Sequence, residues 1–365
     1  MLYKQGDDEG FASLRRQLSS PLSPSAQFED PNPHPPHPKP TSMEAQALRR
    51  KASLYLLFVT LIWGGTFIWM KQLLSTAEAN VTVWDARPAV ALFIGIRFAI
   101  AFLLLALILP DSRKFGERRK QVWKGGGLLG VLMFAGFALQ MVALAEITPA
   151  VSAFLTSLYV VFTALIGRSI GQQKLTKGLL IGVLLATIGA ALLGLEKGDT
   201  LTDLALTEFG IPEWMTIVGA MMFALHILAT DAVTKRDNPV NLSMASFIVV
   251  SACSLIMLLA IIPFSAMSFS ELFGLLTLVD IWIPLLLLGG LGSFVALLVL
   301  NIWQKQISPV HAAIIYSLEP VWALMYSLNQ NLEVVSQWLF IGGGTLLAGN
   351  ILVEFLVRKE ESEDH

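Results

Sequence analysis

Ten runs of about twenty mostly apolar residues fill most of this 365-residue chain, at approximately 53–74, 88–109, 125–145, 148–167, 176–195, 213–232, 244–265, 281–302, 309–328 and 337–357. A helix rises about 1.5 Å per residue and a bilayer core is about 30 Å thick, so each run matches one crossing. Lipid offers no hydrogen bonds to the backbone, and an uninterrupted run of this length satisfies its own N–H and C=O groups only as a helix. Charged residues make up 14% of the chain, well short of the roughly 25% of soluble domains. The pattern predicts an all-α polytopic membrane protein with ten transmembrane helices.

The first fifty residues follow another logic. They hold 8 of the 17 prolines, including the stretch PNPHPPHPKP. Such a segment cannot bury enough apolar area to offset ordering entropy, so residues 1–50 read as a disordered tail. No basic-then-apolar layout follows Met1, so the start does not read as a secretory signal. Met43, followed by EAQALRRK and the first apolar run, is a second candidate start of translation. His34 and His37 lie between prolines and read as linker, not metal ligands. The single cysteine, Cys253, leaves no internal disulfide to form.

Short connections carry the orientation signal. With the N-terminus inside, seventeen Lys and Arg residues fall on one side and three, Lys71, Arg87 and Lys197, on the other. The sparse side also carries the acidic connection EKGDTLTDLALTEFGIPE. Both termini are therefore expected in the cytoplasm, with an even number of crossings and residues 358–365 as a short C-terminal tail.

A duplication is hidden in the chain. Shifting the sequence by 160 residues without a gap aligns TPAVSAFLTSLYVVFTALIG with SPVHAAIIYSLEPVWALMYS, and residues 128–192 match at 14 of 65 positions. Pro149 meets Pro309, Ser157 and Leu158 meet Ser317 and Leu318, and Gly189 meets Gly349. Five crossings per half is an odd number, so the second half enters the membrane from the opposite face. Residues 51–197 and 198–357 are thus expected to be two inverted five-helix repeats. This is a common plan of secondary transporters, with the substrate site near the midplane between the halves.

The stretches LIWGGTFIWMKQLL, IRFAIAFLLLALIL and SLEPVWALM also resemble the drug/metabolite transporter superfamily, specifically its EamA type. The resemblance covers approximately residues 53–357. It implies ten helices, five plus five, at the plasma membrane (the cell inner membrane), and export or exchange of small metabolites such as amino acids. The family places a Gly-Glu pair just after the fourth and ninth spans. Here those places read IGQQ and QNLE, so Gln173 and Glu333 occupy the acidic positions.

Polar groups at bilayer depth each need a reason, at about 2.5–3.5 kcal/mol apiece on insertion scales. Glu319 lies ten residues into the ninth run, roughly 15 Å deep at the helical rise. Pro320 beside it cannot donate a helical hydrogen bond, and its ring opposes the carbonyl of Tyr316. Two readings stand for the pair: a substrate contact or proton carrier facing a central cavity, or a kink whose carboxylate bonds a neighbouring helix. Arg97, in mid-span, would either bind a substrate carboxyl or close a helix contact. The first-half counterpart of Glu319 is Tyr159. Gln140, His226 and Asn301 are candidates for helix-to-helix hydrogen bonds or cavity polarity, and Trp63 and Trp322 for an aromatic wall or for packing. Thr66, Tyr159 and Tyr316 complete the cavity candidates.

Other classes fit less well. GRSIG at 167–171 matches a G-x-S-x-G nucleophile pattern, but it lies at a basic helix end rather than on a strand-to-helix turn. No metal, phosphate-loop or cysteine motif appears, so neither enzymatic activity nor a cofactor is expected. The partners expected are a small-molecule substrate and the lipid bilayer, not nucleic acid, with a homodimer left open. Phosphorylated substrates would want several cavity cations, and Arg97 is the one in sight. The alternative is a channel or a non-transporting scaffold that retains a transporter fold.

Overall fold

The structure, a computed structural model, describes residues 42–114, 116, 118–169, 177–193, 210–307, 312, 315–316, 318–333 and 335–363. Gln173, Pro309, His311, Ser317, residues 1–41 and the acidic connection up to residue 209 lie outside the described residues. All regular structure within them is helical.

Chain order runs α1 (Ser42–Ala79), α2 (Ala86–Ile108), α3 (Arg119–Leu144), α4 (Pro149–Thr156), α5 (Tyr159–Ser169), α6 (Lys177–Leu192), α7 (Ile211–Thr234), α8 (Pro239–Ile261), a short α9 (Phe269–Gly274), α10 (Val279–Leu287), α11 (Ala296–Trp303), α12 (Glu319–Asn329) and α13 (Gln337–Glu363). A π-helical segment, Leu288–Val295, joins α10 to α11. Among the described residues, seven helical stretches are long and apolar enough to cross a membrane: α1, α2, α3, α4–α5, α7, α8 and α10–α11. The other three apolar runs hold the 16-residue α6, the 11-residue α12 and the 27-residue α13.

One expectation is corrected at the start of the chain. The proline-rich composition extends the disordered tail to residue 50, whereas α1 begins at Ser42. The prolines stop at Pro40, and the next stretch, SMEAQALRRK, is rich in strong helix formers that run straight into the first apolar segment. Proline content averaged over fifty residues conceals that boundary.

The two halves meet on a local two-fold relation. A Cβ on Gly189 would lie 2.3 Å from the backbone nitrogen of Leu346 and 2.6 Å from the Gly342 carbonyl. A Cβ on Gly349 would lie 2.4 Å from the nitrogen of Ala186 and 2.7 Å from the Gly182 carbonyl. Each member of the second set lies 160 residues from its mate in the first. Helices α6 and α13 therefore cross backbone to backbone, at positions where any side chain would push them apart.

Connections gather in two groups. In one, Thr82 donates its hydroxyl to the Glu271 carboxylate, and Ser265 Oγ donates to Asp85 Oδ2 at 2.9 Å. In the other, Arg118 pairs with Asp237 at 2.7 Å, and Asn241 Nδ2 donates to the Ser112 carbonyl at 2.8 Å. The turn between α3 and α4 is held by opposite charges. Lys71 Nζ, from α1, donates to the carbonyls of Leu144, Ala145 and Ile147 at 2.9–3.1 Å, where α3 ends. Glu333 accepts from Thr148 Oγ1 at 2.8 Å and from the Ala150 amide at 3.4 Å, where α4 starts. A cation at a helix C-terminus and an anion at an N-terminus both match the helix dipole. Burial nonetheless holds the Glu333 carboxyl above its ordinary range, against the hydrogen bonds from Thr148, Ala150 and Ser327 and the charge of Lys71.

Candidate substrate cavity

Both repeats place a turn at the same position, Leu158 in the first and Leu318 in the second, with a helix starting at the next residue. In the second, Leu318 is a turn residue whose amide reaches the Ile315 carbonyl at 3.2 Å, and α12 begins at Glu319. Pro320 sits in the first turn of α12, where its missing N–H leaves no helical bond unmade. The carboxylate of Glu319 thereby stands at a helix N-terminus, the end that favours negative charge. Backbone contact with α1 fixes the position: a Cβ on Gly64 would lie 2.4 Å from Trp322 Cβ and 3.1 Å from the Glu319 carbonyl.

In the first repeat α4 and α5 part at Ser157 and Leu158 without any proline. Ser157 Oγ donates back to the Phe154 carbonyl at 2.7 Å. Asn350 Nδ2, from α13, reaches the Ser157 carbonyl at 3.3 Å and its Oγ at 3.1 Å. A serine turned back onto its own helix and a carbonyl satisfied from outside together hold the break open. The proline in the second repeat announced one interruption; the other was silent in sequence.

Between the two breaks lies a cavity of about 50 Å³. Its wall is assembled from paired positions: Trp63 with Phe223, Thr66 with His226, Gln140 with Leu300, Thr156 with Tyr316, and Tyr159 with Glu319. The members of every pair are 160 residues apart. Met133, Phe137 and Ile227 complete the lining. A void this size holds a few waters, at about 10–15 Å³ of comparable volume each.

Of the ten residues singled out from sequence, Trp63, Thr66, Gln140, Tyr159, His226, Tyr316 and Glu319 line this space. Glu319 is 7% exposed and accepts from the Tyr159 hydroxyl at 3.5 Å. Gln140 Nε2 donates to Thr156 Oγ1 at 2.9 Å, and the Tyr316 hydroxyl donates to Gln304 Oε1 at 3.3 Å. His226 Nδ1 lies 3.5 Å from Thr230 Oγ1. Pro320 and Trp322 stand behind the wall, the Trp322 indole donating to Thr60 Oγ1 at 3.1 Å.

Of the two readings for Arg97, a substrate contact or a helix contact, its place agrees with the second, because it is absent from the described cavity wall. Its Nε donates to Ser293 Oγ at 2.7 Å, and its Cζ lies 4.2 Å from the centre of the Phe137 ring, which itself lines the cavity. Asn301 joins α11 to α8 through Ser243 Oγ at 2.7 Å. Ser169, from the G-x-S-x-G pattern, is exposed and donates to the Leu165 carbonyl at 3.0 Å. Residues 170 and 171 of that pattern lie outside the described residues.

Sequence reasoning passed over Met133, Phe137, Thr156, Phe223, Ile227 and Leu300. The 160-residue shift, applied to Trp63, Gln140 and Tyr316, points directly to Phe223, Leu300 and Thr156. No signal of that kind marks the other three.

A model of the EamA-like transporter family matches this chain twice, at residues 50–195 and 211–355. The chain belongs to the EamA-like transporter family. It is accordingly a multi-pass membrane protein, and each of its two EamA matches contributes one member of every cavity pair. A relative from Archaeoglobus fulgidus, named only as an uncharacterized transporter, is 27% identical over 309 residues, spanning 85% of this chain and 87% of its own. A solved structure described only as a crystal structure of protein aligns with a TM-score of 0.53 at 18% identity, over 85% of this chain and 99% of its own. That likeness concerns the fold alone.

Proposed function

We propose that this EamA-family protein is a secondary transporter that moves small metabolites, amino acids or related compounds, by alternating access. The observation that carries the reading is the cavity wall, whose five residue pairs each draw one member from either half. A site shared between inverted halves can be exposed to one face when the halves tilt one way and to the other when they tilt back. Ten crossings, with both termini in the cytoplasm, agree with the asymmetry of Lys and Arg and with the two groups of connections. The direction of net movement is taken as export from the cell, across the plasma membrane, on the family resemblance.

The chemistry of the wall favours small, weakly charged cargo. Among the described residues it offers one carboxylate, one imidazole, an amide and several hydroxyls among aromatic rings, with no lysine or arginine. A phosphate ester would find no counter-charge there. Glu319 supports a role in binding an ammonium group or in carrying a proton. The cavity's small volume corresponds to a constricted arrangement of the two halves.

The test is counterflow of labelled amino acids, with phosphorylated metabolites as controls, in liposomes holding the purified protein. Saturable exchange of amino acids supports the reading. Flux that rises without saturation would indicate a channel instead. Silence across the panel from folded protein would overturn the substrate assignment.

A further inference from the structure

Arg97 is 1% exposed, and among the described residues it forms no ion pair. A guanidinium keeps its charge in proteins and carries five N–H donors. Burying such a charge without a counter-ion is costly. Ser293 takes one donor, the Met70 sulfur is 3.7 Å from Nη1, and the rings of Phe137 and Phe98 lie 4.2 and 5.5 Å from Cζ. Aromatic faces and a hydroxyl offset part of that cost. Among the described residues Nη2 has no hydrogen-bond partner.

The unused nitrogen lies at the back of the cavity wall. A Cβ on Gly292 would sit 3.4 Å from Nη2 and 2.7 Å from Thr66 Cγ2, and the Gly292 carbonyl accepts the Trp63 indole at 3.1 Å. Thr66, Trp63 and Phe137 all line the cavity. One phenyl ring and one threonine edge thus part a free cationic donor from the space facing Glu319. Gly292 and Ser293, which flank the guanidinium, belong to the π-helical stretch, a geometry frequent at functional sites.

We infer that the cavity continues behind Phe137 into a carboxylate subsite on Arg97, uncovered when the Phe137 ring swings aside. The inference rests on the transport reading above and sharpens its substrate class. A compound with a carboxylate for Arg97 and an ammonium for Glu319 is an amino acid. Nη1 and Nη2, committed to a thioether and to nothing, are the two parallel donors that a carboxylate accepts in bidentate fashion.

Two measurements test this. Cys253 is the chain's single cysteine, so Cys253→Ser provides a thiol-free background. Ser293→Cys then places a thiol beside Arg97 without removing it. In liposomes that thiol is expected to react with the anionic sulfonatoethyl thiosulfonate reagent, to react about tenfold faster with Phe137→Ala, and to be protected by leucine. An unreactive thiol in folded protein, with and without Phe137→Ala, would overturn the subsite.

The second measurement compares counterflow of leucine and leucinamide, which lacks the carboxylate. Arg97→Gln is expected to lower leucine exchange about tenfold relative to leucinamide, and Arg97→Lys by less. Equal loss of both compounds would make Arg97 a packing residue and overturn the inference. A thiol protected by acetate or succinate while no amino acid exchanges would refute the amino-acid reading and leave the subsite standing. Amino-acid exchange with an unreactive thiol would do the reverse.

Discussion

Tyr159 and Glu319 occupy the same position of the two repeats, 160 residues apart, and meet at 3.5 Å as hydroxyl donor and carboxylate acceptor. The duplication thus returns in space as a contact across the axis between the halves. One partner has become acidic and the other phenolic, so the site is symmetric in frame and asymmetric in chemistry.

Glu319→Gln is expected to lower exchange by roughly 10- to 100-fold, the scale of one lost charged hydrogen bond of about 1.5–3 kcal/mol. Tyr159→Phe should cost less, because Glu319 keeps its place at the start of α12. Counterflow of each variant, with a thermal melt to show folding, checks the order. Equal activity of Glu319→Gln and wild type at every pH would leave the carboxylate a structural role only.

His226 bonds within its own helix, to Thr230, so His226→Asn should leave the pH profile of exchange unchanged. If Glu319 carries the proton, Glu319→Gln should flatten that profile. Exchange rates between pH 5 and 8 separate the two; a profile flattened by His226→Asn would transfer the role to the histidine.

Gly189→Ala and Gly349→Ala should each destabilise the protein by about 1–3 kcal/mol, since the added carbon meets backbone rather than a movable side chain. The two-fold relation of their contacts predicts similar shifts in melting temperature. A large shift for one and none for the other would show that the crossing of α6 and α13 is not symmetric.

Glu333→Ala removes the carboxylate that receives Thr148 and Ala150 at the start of α4. The expected loss is about 1–3 kcal/mol of stability, with Thr148 still capping the Val151 amide. Glu333→Gln keeps one acceptor oxygen and should lose less, by denaturant or thermal melts in detergent.

Glu271 supplies an acid window. Hydrogen bonds from Thr82 and from Ser268 hold its carboxyl down to about 2. A depressed folded value means the contribution is complete above the unfolded carboxylate range, about 4.3. It is lost as pH falls through about 2. Melting temperature between pH 5 and 2 should therefore fall more steeply for the wild type than for Glu271→Gln.

Sequence alone determined the class of molecule, because the bilayer acts residue by residue. Any run of twenty apolar residues must become a helix, and any carboxylate within it must have a reason. It also carried the 160-residue duplication and, through Glu319, Tyr159, Tyr316, Trp63, Thr66, Gln140 and His226, most of the polar cavity wall. Facing was decided only by the tertiary structure. In water an amphipathic stripe tells which side of a helix is buried, but lipid is as apolar as the core, so that stripe is erased. Leu107 at 74% exposure and Leu105 at 0% are the same residue type two positions apart on α2. Nothing local in the sequence says that Arg97 lies behind Phe137 instead of in the cavity, or that Asn350 holds open the break at Ser157. Those relations depend on how the helices are rotated against one another, and rotation is set by contacts between residues that lie far apart in the chain.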